Sequence, residues 1–106
     1  MTLLFSPYQI RELHLKNRIV VSPMTQFSCV DGVPGDWHLV HLGRFALGGA
    51  GLVFVEQAAV QEVGRVSYGC LGLWNSQQVA PLARLAQFIK ENGAAVALQL
   101  GHAGRK

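Results

Sequence analysis

The 106-residue sequence predicts an α/β fold in which parallel strands are covered by helices. Three observations carry that expectation. From residue 19 onward, strand-like and helix-like segments alternate as β, α, β, α, β, which implies parallel β-α-β units with right-handed crossovers. The strand segments are continuous apolar runs rather than alternating ones, as in strands buried on both faces. Half of the residues are hydrophobic and only 14% are charged, against roughly a quarter in an average globular domain.

Residues 3–16 read as two short extended stretches, LFSPYQI and LHLK. His14 between Leu13 and Leu15 gives the period-two pattern of a small hairpin. NRIVVSPM follows, a β-branched core from Ile19 to Val21 stopped by Ser22 and Pro23, because proline cannot continue a ladder. Residues 25–36 are loop-like, with Asp31-Gly32 and Pro34-Gly35 as turn signals. Asp36 is the expected N-cap of a helix over 37–47, with Leu39, Leu42 and Ala46 on one stripe and Gly48-Gly49 ending it. The second strand, in GLVFVEQAAV, starts near Leu52 and is apolar until Glu56 and Gln57.

A polar, glycine-containing loop is expected over 61–76, then a second helix over 77–91. Val79, Leu82, Ala86 and Ile89 make its apolar face, Pro81 sits in the tolerated first turn, and Asn92-Gly93 is the stop. The third strand covers 95–100. Its bulky residues, Val96, Leu98 and Leu100, share the helix-facing side; Ala95, Ala97 and Gln99 share the other. A barrel and a Rossmann-type sheet both fit that parity. The first β-α turn, SPMTQFS, has no G-x-G-x-x-G, and its loop to the helix is too long for a dinucleotide fold.

The net charge of +3 comes from scattered basic residues whose only adjacent pair is Arg105–Lys106, so no nucleic-acid footprint is expected. No apolar run approaches the roughly 20 residues of a membrane span. The N-terminal MTLLFSPYQIRELHLKN carries charges where a signal peptide needs an apolar core, and a cytoplasmic location follows. Cys29 and Cys70 lack C-x-x-C spacing and read as reduced, small apolar residues. His38 and His41 stand at i, i+3, but no cysteine or acidic ligand lies beside them in the sequence, so no metal is expected.

In α/β folds ligands sit at the C-terminal ends of parallel strands. Those ends hold Ser22-Pro23-Met24-Thr25, Glu56-Gln57-Ala58 and Gln99-Leu100-Gly101-His102. There is no close carboxylate pair and no serine or cysteine with an evident base. Amides, a hydroxyl and free backbone groups suit an uncharged heteroaromatic ligand with several donors and acceptors. His102 and Arg105 read as loop residues, and Trp37 and Trp74 as packing a helix and a loop onto the wall.

The blocks LFSPYQIRELHLKNRIVVSPMTQFS, GLVFVEQAAV, GRVSYGCLGLW and ALQLGHAGRK resemble the start of the old yellow enzyme family of FMN-dependent ene-reductases, nearest its bacterial NADPH dehydrogenases and xenobiotic reductases. The resemblance covers essentially the whole chain. It implies a (β/α)₈ TIM barrel, of which this chain holds the N-terminal hairpin and roughly the first three β-α units. It implies FMN as cofactor and NADPH or NADH as reductant. Ser22, Pro23, Met24 and Thr25 match the segment that runs along the flavin, Gln99 matches the glutamine at the flavin pyrimidine, and Gln57 matches a flavin-contacting position usually held by a small residue. Phe27 matches a substrate-pocket position that is often tyrosine, and Thr25 stands where the bacterial branch often has cysteine.

The implied reaction is reduction of the activated C=C bond of an α,β-unsaturated carbonyl by hydride from reduced flavin, in a protein that is a homo-oligomer when full length. A complete barrel needs about 200 residues or more. The chain alone is therefore expected to be an incomplete and inactive N-terminal part. The family's substrate-anchoring histidine pair falls beyond residue 106; His38 and His41, in the first helix, are not that pair. The alternative is a non-catalytic β-α module acting through self-association or a partner, since an incomplete sheet exposes strand edges.

Overall fold

In a computed structural model the described residues are 2–104; Arg105 and Lys106 lie outside them. The chain opens with a 3-10 turn at Leu3–Phe5 where an extended stretch was expected, closed by the Ser6 Oγ donating to the Leu3 carbonyl at 2.6 Å. The hairpin follows, β1 (Tyr8–Ile10) antiparallel to β2 (Leu13–Leu15), with Tyr8 opposite Leu15. The remaining elements are β3 (Val20–Val21), α1 (Asp36–Leu47), β4 (Leu52–Ala59), β5 (Leu71–Gly72), α2 (Val79–Glu91) and β6 (Ala95–Gly101).

All strand pairs in the main sheet are parallel, and β4 is their centre. On one edge it pairs β3 near its start, Val20 opposite Leu52, and β5 near its end, Ala58 opposite Leu71. Along the other edge it pairs β6, from Leu52 opposite Ala95 onward. Val53, Val55 and Ala58 of β4 meet Leu42 and Ala46 of α1 and Leu85 and Ile89 of α2 in one core, with Leu71 and Cys29 included.

Three local expectations are corrected. The N-cap of α1 is Gly35, not Asp36: the Gly35 N–H donates to His38 Nδ1 at 3.0 Å, and a histidine ring does the capping work expected of a carboxylate. Asp36 begins the helix and pairs with Arg84 at 3.2 Å in solvent. The stretch 61–76 is not uniformly a polar loop; Cys70, Leu71 and Gly72 are buried, and Leu71–Gly72 extend the sheet. On α2 the buried residues are Leu85 and Ile89, while Val79 is exposed. The apolar face is wider than β4 and α1 cover, and its remainder forms an open groove with Val96 and Leu98 of β6. The two helices approach closely at Gly43, where a Cβ would lie 2.5 Å from Phe88.

Candidate functional site at the C-terminal rim of the sheet

A β-bulge organises the rim. Pairing of β4 with β6 runs evenly to Val55 opposite Leu98, then resumes with Ala58 opposite Leu100. Two residues of β4, Glu56 and Gln57, therefore stand against one residue of β6, Gln99. Bulges re-aim side chains, and they recur beside active sites. Here Val55 packs in the helix-side core while the adjacent Glu56 reaches α1, and Gln57 turns instead to the rim. All three polar residues of these two strands lie at one level of the sheet.

Gln57 and Thr25 line one small depression, together with Ala59, Gly64, Arg65, Val66 and Cys70. Two of the sequence-predicted residues thus come together. Ser22, Pro23, Met24, Gln99 and Phe27 do not line it. Ser22 and Met24 are exposed in the segment leaving β3, with Pro23 half-buried between them, and Gln99 is exposed on β6. The Gln57 side chain packs against Gly101, where a Cβ would collide with it. A bulky residue is accommodated there because its neighbour on β6 has no side chain. Phe27 is exposed and holds a left-handed backbone, φ +55°, a strained state for an aromatic residue. Gly69 is pressed onto its carbonyl, where a Cβ would lie 2.5 Å from the oxygen, and the Cys29 N–H donates to the Gly69 carbonyl at 2.9 Å.

Behind the rim is a buried cluster that the sequence order conceals. His38 Nε2 lies 3.2 Å from Glu56 Oε1 and 3.3 Å from Cys29 Sγ, with all three residues buried. The expectation that no acidic or cysteine group stands beside His38 is thereby corrected, since the fold brings in one from the loop and one from β4. These three donors lie within 4.8 Å of one another, but the hydrogen bonding is that of a network, not a metal centre. The Gly35 N–H occupies Nδ1, which assigns the ring proton to Nε2, the atom a metal would need as a lone pair. Burial first, then the Glu56 carboxylate and Cys70, push the Cys29 thiol up to about 12. It stays protonated at neutral pH and is no nucleophile.

Arg65 was also missed. Its side chain is mostly buried, with the guanidinium 5.1 Å from the Tyr68 ring and 5.2 Å from the Trp74 ring, and Nε donating to the Glu62 carbonyl at 3.1 Å. It is the one cation lining the Thr25–Gln57 depression among the described residues. The signal in the sequence was faint: a lone arginine followed at i+3 by a tyrosine. Trp37, expected against the wall, is half out in solvent, and its indole N–H donates to Gln26 Oε1 at 3.1 Å. His102, read as a loop residue, is one, its Nε2 3.0 Å from Gln61 Oε1.

With amides, a hydroxyl and one fixed cation, the rim can orient a polar, uncharged ring system. Comparisons with known proteins agree in kind. The NADH:flavin oxidoreductase / NADH oxidase family matches residues 3–106. An NADPH dehydrogenase of Geobacillus sp. (strain WCH70) is 49% identical over 99% of this chain and 32% of its own length. An NADPH dehydrogenase of Listeria monocytogenes serotype 4a (strain HCC23) is 50% identical over 100% of the chain and 32% of its own. The chain thus spans about a third of the curated relatives it matches. Among solved structures, morphinone reductase in complex with tetrahydroNAD superposes with a TM-score of 0.88 at 30% identity, over 99% of this chain and 28% of that one. This likeness makes the sheet and helices a hairpin plus about three β-α units of a (β/α)₈ barrel.

Proposed function

Because this chain belongs to the NADH:flavin oxidoreductase / NADH oxidase family, the old yellow enzyme family, we propose that residues 1–106 supply the N-terminal part of a flavin-binding barrel. The activity proposed for the whole protein is FMN-dependent oxidation of NADPH or NADH with reduction of activated C=C bonds in α,β-unsaturated carbonyls. The names of the relatives, NADPH dehydrogenase and morphinone reductase, support the nicotinamide and the small-molecule acceptor. Two free, buried cysteines suit a cytoplasmic setting.

One observation carries the reading. The bulge at Glu56–Gln57 gathers Thr25 and Gln57 into one depression and sets Gln99 across from it, at the strand ends where a barrel binds ligand. The donor set fits FMN: amide groups of Gln57 and Gln99 can give and accept hydrogen bonds at a pyrimidine, and the Thr25 hydroxyl can do the same beside the ring. FMN, when bound, supplies the two-electron carrier between nicotinamide and acceptor. This chain's residues bind and orient. Gln99 and Gln57 fix the ring by hydrogen bonds, Thr25 and the Ser22–Met24 backbone line it, and Phe27 walls the substrate side. Donors held ready at the atoms that gain charge on reduction stabilise that charge without reorganising.

The test is flavin uptake by the polypeptide that carries residues 1–106 within its complete barrel. A yellow protein with flavin absorbance after incubation with FMN, oxidising NADPH and bleaching under it, is the expected result. A preparation that stays colourless overturns the reading.

A further inference from the structure

We infer that Glu56 is a positioning residue for the rim, holding the Thr25–Phe27 segment in place through the backbone amide of Gln26. The inference rests on the proposed function for what Thr25 and Phe27 touch, and on geometry alone for how they are held.

Glu56 is 2% exposed, and a buried carboxylate is costly unless its oxygens are bonded. Both have partners. Oε1 accepts from the His38 Nε2–H at 3.2 Å, and Oε2 accepts from the Gln26 N–H at 3.4 Å. The His38 proton faces Glu56 because its other nitrogen is occupied by Gly35. One chain of hydrogen bonds thus runs from the N-terminus of α1, through His38 and Glu56 on the bulge, to the loop after β3.

Gln26 is where that chain meets the site. Its side chain accepts from the Trp37 indole at 3.1 Å and donates to the Met24 carbonyl at 3.0 Å, and its carbonyl accepts from Ser28 Oγ at 2.9 Å. Its two neighbours, Thr25 and Phe27, are exposed and free to face a ligand. The anchoring is thereby confined to the middle residue of three, and the strained φ of Phe27 is sustained by what holds Gln26 and by Gly69 behind it. Glu56 is the only charged side chain hydrogen-bonded to this segment among the described residues, and the bulge is what lets it arrive from β4.

Glu56→Gln replaces one acceptor oxygen with an NH₂, so a donor must face either His38 Nε2–H or the Gln26 N–H. The fold of the core is left alone while one bond of the clamp is lost. The first readout needs no flavin: native-state amide exchange. In the E56Q protein the Gln26 amide should exchange about tenfold faster or more, the worth of a hydrogen bond to a charged group, with Val53 and Val55 unchanged. The second is kinetic, on the flavin-loaded protein. KM for an enone should rise by about tenfold with kcat changed less than threefold, since positioning acts on binding.

Uniform acceleration that includes β4, or unchanged exchange at the Gln26 amide, overturns the inference. Should E56Q not fold, the wild-type protein decides it: a Gln26 amide exchanging like a free loop amide overturns the clamp, and one protected beyond Phe27 and Ser28 upholds it. Wild-type protein that takes up no FMN would sink the proposed function and leave the exchange result standing.

Discussion

β4 and β6 are hydrogen-bonded neighbours of similar apolar composition, yet six of the eight β4 residues are buried and none of the seven in β6 is. Their side chains do not account for the difference. β4 has β3 and β5 on one edge and β6 on the other, whereas among the described residues β6 pairs only with β4. Apolarity makes a strand; position in the sheet decides whether it is buried. The contrast repeats at the strand ends, where Glu56 is bonded on both carboxylate oxygens and Gln99 lies exposed. A polar residue bonded inside the chain belongs to the scaffold, and one left facing out is available to a ligand.

The sharpest way to break this comparison is to truncate one apolar side chain on each strand to alanine. Val53 is fully buried, and Val53→Ala should cost about 2 kcal/mol from lost burial and the cavity left behind. Leu100, 61% exposed, should cost less than about 1 kcal/mol when changed to alanine in the 106-residue chain. Urea denaturation midpoints would separate them. In a polypeptide whose further strands cover β6, the cost at Leu100 should climb toward that at Val53. Equal costs in the short chain would mean that β6 is not an edge.

A second, smaller contrast lies along α1. His38 is bonded through both ring nitrogens, whereas His41 Nε2, equally buried, has no hydrogen-bond partner among the described residues. Burial, and then the Arg44 guanidinium beside it, lower the pKa of His41 from the ordinary 6.5. The unfolded chain therefore takes up a proton at His41 at a higher pH than the folded one. The His41 contribution to stability is complete above pH 6.5, falls as the pH drops below it, and levels off below the folded value. His41→Phe keeps the stack on Trp37 and the edge contact with Phe45 while removing the titration. Its stability, measured from pH 8 to pH 5, should fall less than that of the wild type.

The order of elements, the parallel sheet and the rim positions of Thr25, Gln57 and Gln99 were legible because each follows from local pattern: apolar runs, turn residues and strand ends. What stayed hidden depends on pairing between distant residues. No periodicity marks the bulge, since an extra residue shows only when β4 is laid against β6. The meeting of Cys29, His38 and Glu56 joins a loop, a helix and a strand, so three unremarkable residues became one buried network. Gly35 capping α1 through a histidine defeated a rule that looks for Asp or Ser, because the acceptor sits three residues inside the helix. The strand at Leu71–Gly72 was missed because glycines and polar neighbours surround two residues whose extended form comes only from pairing with Ala58 and Ala59.

The smallest stability effect should come from the residue most exposed to a functional role. Gln99→Ala removes an exposed amide that stands opposite the bulge. The side chain is exposed, so the change in folding free energy should stay within about 0.5 kcal/mol. Alanine also matches Ala95 and Ala97 on the same face and leaves the backbone ladder intact. On a flavin-loaded protein, however, the missing amide should weaken FMN binding by about tenfold, the range of one lost hydrogen bond between neutral partners, measured by fluorescence titration. Glu56→Gln should show the opposite balance, with its effect on local exchange outrunning its direct effect on the flavin. If Gln99→Ala instead destabilised the fold and left FMN affinity unchanged, the exposed glutamine would be scaffold, and the division drawn between the two strand ends would fail.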